Sequence, residues 1–181
     1  MSSGLAPGLL IAAPQLLDSN FVRTVVLLLH HDESGAMGIV LNRPLELPLR
    51  EVARQHGIDS SESQGQAFFG GPVEVYRGFV LHAGEQCEED TEIFDGVQIT
   101  GSVSVLKRLL ETSQPAFRLY LGYAGWGPGQ LDAELTAGAW LAGELSPRYI
   151  FDIDADDCWD TVLADMGIDP AMVLQSTGEI A

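Results

Sequence analysis

Apolar residues in this chain come in short runs broken by glycine, proline and acidic clusters, and the period of each run sets the element it predicts. Leu9–Ala13 is an apolar run of strand length. Thr24–His30 is apolar at odd and even positions alike, as a strand covered on both faces requires. The cluster His31-Asp32-Glu33-Ser34-Gly35 turns the chain and Ala36–Leu41 returns it. Thr24–Leu41 therefore reads as a hairpin that ends at Asn42-Arg43-Pro44, where proline cannot donate to a ladder. Pro48–His56 reads as a short helix, with Leu49, Val52, Ala53 and His56 on one stripe and Gly57 at its stop. Ile58–Gln66 is a polar, serine-rich loop.

Further along, Ala67–Gly70 and Gly78–His82 predict strands separated by the Gly70-Gly71-Pro72 turn, and Gly84–Asp90 is an acidic surface loop. Thr91–Phe94 and Val97–Thr100 flank Asp95-Gly96, a two-residue hairpin signal. Ser102–Glu111 predicts a helix with Val103, Leu106, Leu109 and Leu110 inward. In Phe117–Ala124 the alternation puts Phe117, Leu119, Leu121 and Tyr123 on one face, and Arg118 and Tyr120 on the other. A glycine-rich loop, Gly125–Gly129, leads into a helix predicted over Gln130–Ala142. Tyr149–Ile153 reads as a last strand, Asp157–Met166 as a helix, and Asp169-Pro170 as the start of a short helix to about Gln175. Hairpin strands with helices inserted between them predict one α+β domain over 1–181, a mixed, largely antiparallel sheet with helices packed on it.

Composition changes the picture mainly through charge. Hydrophobic residues make up 46% and charged residues 19%, an ordinary globular balance. The formal net charge is −17, from 9 basic and 26 acidic residues, and Lys107 is the single lysine. Nucleic-acid affinity comes largely from Lys and Arg neutralising phosphates, and no basic run exists here, so direct DNA binding is disfavoured. Cys87 and Cys158 form no CxxC and the four histidines show no ligand spacing, so no metal and no cofactor is expected. Met1–Pro7 carries no Lys or Arg and no apolar core, so it is not read as a signal peptide. The longest apolar run, Val25–Leu29, is far too short to span a membrane. The expectation is a soluble, cytoplasmic protein, with any disulfide left open.

Several strings carry a resemblance. They are Leu9–Pro14, Asp18 with Phe21–Val26, Gly35–Pro44, Gly70–Val73, Gly78–His82, and Leu121–Trp126 with Gly129-Gln130-Leu131. Together, in this order, they resemble the YqgE/AlgH family, bacterial proteins labelled as transcriptional regulators, across nearly the whole chain. The resemblance implies a compact α+β fold with a mixed sheet, and it brings no catalytic residues to carry over.

Within those strings the candidate binding residues are Asn42, Arg43, Tyr123, Trp126 and Gln130. Arg43 suits a carboxylate or phosphate clamp, or a structural pair with one of many acids; Arg23 reads the same way, with Asp18 as its local partner. The Gly125–Gly129 loop could hold an anion at a helix start, but no Lys-Ser/Thr follows and Asp132 and Glu134 would repel a phosphate. A tight turn with Trp126 packed over it is the competing reading. Trp140 falls off the stripe Leu131, Leu135, Gly138, Ala142 of its predicted helix, which makes it either buried between two layers or a partner surface. No serine stands in a GxSxG frame, and Cys87 lies among Glu85, Glu88, Glu89 and Asp90, which disfavours a thiolate. The function expected is a non-catalytic binding or regulatory protein acting through a protein or small-ligand partner. The enzyme alternative is a hydrolase or transferase whose pocket gathers Arg43, His82 and the Gly125–Gly129 loop. A structural interaction module is the third reading.

Overall fold

The computed structural model describes residues 4–58, 65–112 and 116–172. Among the described residues ten strands join in one curled sheet: β1 (Gly8–Ala12), β2 (Val25–Asp32), β3 (Gly35–Val40), β4 (Pro44–Pro48), β5 (Gln66–Phe69), β6 (Val73–His82), β7 (Thr91–Phe94), β8 (Val97–Thr100), β9 (Phe117–Trp126) and β10 (Trp140–Gly143). The helices are α1 (Leu49–Gln55), α2 (Val103–Thr112), α3 (Gln130–Thr136), α4 (Arg148–Phe151) and α5 (Ala155–Asp165). The sheet runs β10-β1-β2-β3-β9-β6-β8-β7, all antiparallel, while β5 adds to β9 in parallel and carries β4. The expected mixed, largely antiparallel α+β sheet is therefore present.

Strand alternation explains the layers. Leu9, Ile11, Val25, Leu27, Ile39, Leu81 and Tyr120 point to one face and pack under Trp159, Val162 and Leu163 of α5. Their neighbours Leu10, Val26, Leu28 and Val40 point to the other face, against Trp126, Leu131 and Trp140. Further along that second face, Val80 and Leu119 meet Val52 of α1 and Leu106 and Leu109 of α2. Central strands covered on both sides need apolar residues at every position, which is what β1 and β2 supply.

β9 is the strand on which the molecule turns. Its end at Ala124–Trp126 pairs with β3, and its start at Phe117–Leu121 pairs with β6. Val73 opposes Tyr123 while Gly78 opposes Leu121, so six residues of β6 face three of β9 and the excess bulges outward. At the same place Gly122 adopts φ +80°. Tyr123 consequently leaves the face of Leu119 and Leu121 and packs on the α5 side, edge-on to Phe79 at 6.2 Å. The predicted alternation is broken there by one residue.

Four further expectations are corrected. The helix predicted over Gln130–Ala142 stops at Thr136; Gly138 takes φ +80°, and Trp140–Gly143 becomes β10, paired with β1 from Ala12 to Leu9. Tyr149–Ile153 is no strand: Pro147 precedes the single helical turn Arg148–Phe151. Pro44 does not end pairing, because Pro44–Pro48 forms an edge strand with β5, the sheet position that tolerates proline. On α2 it is Val105, not Val103, that turns inward with Leu106, Leu109 and Leu110, and Val103 is left 47% exposed. The loop predicted over Ile58–Gln66 lies mostly outside the described residues, as does the end of the last helix, whose helical turn at 170–172 is present. Among the described residues, no helix is long and apolar enough to cross a membrane.

Candidate functional site

The strings that mark the sequence hold backbone together. Asn42 accepts the Val25 amide on its side-chain oxygen (2.9 Å) and donates its amide to the Arg23 carbonyl (2.9 Å). It thereby fixes Arg23, which sits at φ +55°. Arg43 donates to the carbonyls of Ser19 (2.9 Å) and Val22 (2.8 Å), so its guanidinium clamps the loop before β2 and takes no carboxylate partner among the described residues. Arg23 likewise does not pair with Asp18; it lies 5.3 Å over the Trp159 ring. Charged donors to carbonyls are the stronger kind of hydrogen bond, about 1.5–3 kcal/mol each. Arg43→Ala should therefore cost about 3 kcal/mol, read as a lower urea midpoint; a change within about 0.5 kcal/mol would remove Arg43 from this structural role.

Trp126, Gln130 and Trp140 meet at one carboxylate. The indole nitrogens of Trp126 (3.2 Å) and Trp140 (2.9 Å) both donate to one oxygen of Glu134, and the Gln130 amide donates to the other (2.8 Å). The Gln130 side-chain oxygen accepts the Gly127 amide at 2.9 Å, which ties the loop to the helix and uses a donor that an anion would need. Phe21 completes the cluster, stacked on Trp126 at 6.3 Å and edge-on to Trp140 at 5.6 Å. Trp140 is 3% exposed, so it is a core residue and not a partner surface; its indole lies under the sheet because β10 pairs with β1.

The pocket required by the enzyme alternative does not form. His82 lies opposite Phe117 at one end of β9, whereas the loop follows Trp126 at the other. Nine residues of strand at about 3.3 Å each separate them by roughly 30 Å of chain path. His82 is fully buried; its Nδ1 accepts the Gly84 amide (3.1 Å) and its Nε2 lies 3.1 Å from the Asp90 carboxylate, itself bonded to the Cys87 amide. That pair straps down the acidic loop before β7. Cys87 is not surrounded by acids alone, since the Arg108 guanidinium, 21 residues away, donates to its sulfur at 3.0 Å. Both cysteines are free, and burial pushes the Cys158 thiol up to about 11. Among the described residues, no group of three His, Cys, Asp or Glu side chains could hold a metal ion.

A different place has the character of a binding surface. Between α1 and α2 the sheet comes to the surface in a groove of about 120 Å³. Val52 of α1 and His56 just after it wall one side, Val103 and Leu106 of α2 the other, and Gly78, Val80, Leu119 and Leu121 form its floor. Tyr76, carried on the β6 bulge, stands over it 95% exposed, and Val103 in its wall is 47% exposed. The bulge creates this surface, for a regular β6 would have paired along β9. The sequence signal available was the Val73-Glu74-Val75-Tyr76 run, but alternation alone assigns two of those residues to a core face.

Comparison with known proteins agrees with this fold. A family model described as AlgH-like matches residues 9–171. A "UPF0301 protein" of Myxococcus xanthus is 45% identical over 176 residues, covering 96% of this chain and 97% of that protein. The solution structure of the AlgH protein from Pseudomonas aeruginosa superposes with a TM-score of 0.75 at 34% identity, over 96% of this chain and 95% of that one. A crystal structure of a Corynebacterium diphtheriae protein, 24% identical with a TM-score of 0.71 over 87% and 85% of the two chains, shares the fold. With a family model over most of its length and relatives this similar along nearly the whole of both chains, the chain belongs to the AlgH-like family.

Proposed function

We propose that this protein is a non-catalytic binding protein that acts through a protein partner docked over the groove between α1 and α2. The observation that carries this reading is the exposure of Tyr76 and Val103 around one apolar groove. Clustered exposed apolar groups of this kind mark interaction sites, whereas scattered single ones mean little. The volume separates a protein partner from a small ligand. At about 120 Å³ the groove is well below the roughly 300–1,000 Å³ of small-molecule sites, and suits an anchoring side chain. Any effect on transcription would pass through that partner, because a chain of net charge −17 repels duplex DNA.

A photocrosslinking residue placed at position 76 or 103 should capture one discrete partner in cells, and the same residue at Pro128 should not. Tyr76→Ser in the position-103 probe should reduce capture at least about fivefold while leaving the unfolding midpoint within about 0.5 kcal/mol of the parent. Capture at Pro128 alone, or equal capture at all three positions, would contradict the reading.

A further inference from the structure

Charge is unevenly distributed in this molecule, and the groove lies where the balance reverses. Arg50 and Arg54 of α1, Arg77 of β6, and Lys107 and Arg108 of α2 are five of the nine basic residues. The same three elements hold three of the 26 acidic residues, Glu51, Glu74 and Glu111. α1, β6 and α2 therefore sum to +2, and the rest of the chain, with four basic and 23 acidic residues, to −19; of the five, Arg108 lies against Cys87 in the field of Glu89 and Asp90. Glu51 is bound to Arg54, and Glu74 to Arg77. Arg50 and Lys107, both exposed, have no carboxylate partner among the described residues. No run in the sequence shows this reversal, because its three segments lie far apart in the chain and only the fold assembles them.

We propose that the groove selects an amphipathic segment of its partner in which apolar side chains are flanked by acidic ones. This rests on the groove being the docking face. The apolar groups enter between Tyr76, Val103 and Leu106, and the acidic flanks lie in the field of α1 and α2. The objection is the molecule's total charge, which would repel an acidic segment. Salt decides it. At about 0.15 M the Debye length is roughly 8 Å, so charges across the molecule are screened and the unpaired Arg50 and Lys107 on the two walling helices are what a docked segment meets. At about 0.01 M the Debye length is roughly 30 Å and the whole acidic chain is felt. Selection for acidic flanks is thus strongest at moderate salt and fades as salt is removed, the reverse of an ordinary ion-pair contact.

The test uses three labelled 12-residue peptides of equal leucine content, flanked by glutamate, glutamine or lysine, titrated into the full chain and read by fluorescence polarisation. At about 0.15 M salt the glutamate peptide should bind about tenfold more tightly than the lysine peptide, with glutamine between them. Lys107→Glu should weaken the glutamate peptide about three- to fivefold and strengthen the lysine peptide, and Tyr76→Ser should weaken all three. If lysine or glutamine flanks bind as tightly as glutamate while Tyr76→Ser still weakens them, the charge selection is overturned and the groove reading stands. If none of the peptides binds, or Tyr76→Ser changes none of them, both are overturned.

Discussion

Gly71→Ala should leave the chain unable to fold stably, losing at least about 4 kcal/mol, which belongs to the small class of severe single substitutions. A β-carbon at Gly71 would overlap the Tyr123 carbonyl carbon and oxygen and the Ala124 amide nitrogen. The residue also sits at φ +153°. These obstacles are backbone atoms of β9, so no side chain can move aside. The crossing is reciprocal, since a β-carbon at Gly122 would meet the Gly71 carbonyl oxygen. The Gly70-Gly71-Pro72 string is therefore a backbone crossing that lets β6 and β9 pair around the bulge carrying Tyr76. Gly129→Ala is the control. It has φ +73° but nothing within 4 Å of an added β-carbon, so only the left-handed strain of about 1–2 kcal/mol applies. Soluble yield and urea midpoints of the two variants measure the contrast; equal effects would mean that the crossing is looser than described.

Glu134→Ala should cost about 3 kcal/mol, because it strands the indole N–H groups of Trp126 and Trp140, 6% and 3% exposed, and the Gln130 amide. An orphaned buried donor costs about 1–3 kcal/mol, and the remaining donor is nearer to solvent. Glu134→Gln keeps an acceptor oxygen and should cost about 1 kcal/mol. Denaturant titration followed by tryptophan fluorescence reads both variants directly, since two of the three tryptophans report on this carboxylate. Equal stability of parent and Glu134→Ala would show that the indoles find other partners in solution.

These two expectations also show where sequence reading reaches its limit. Leu9–Ala13 and Thr24–Leu41 were legible because burial on both faces leaves only one interpretation of a short, uniformly apolar run. Asp95-Gly96 was legible because its turn needs positive φ at both positions, and the structure has +42° and +80° there. β10 was not legible: alanine-rich helix formers run from α3 towards it, and its partner, β1, lies more than a hundred residues earlier. Gly138 and the misfit of Trp140 to the helical stripe were the local warnings. At the site, Asn42, Arg43, Trp126 and Gln130 stood out as unusual residues, but their role depends on what they touch. Arg43 reaches carbonyls 21 and 24 residues back, and Trp126 a carboxylate one helix on. Tyr76 could not be found, because its exposure follows from a bulge set by Gly122 on another strand.

The most direct test of the groove as the working surface is a titration of the ¹⁵N-labelled chain with the glutamate-flanked leucine peptide, followed by amide chemical shifts. The largest shifts should fall at Val52, His56, Gly78 and Gly101–Val103, which line the groove. Shifts centred instead on Gly127–Gln130 or on the Arg43 clamp would contradict that assignment and return the binding role to the family's own strings.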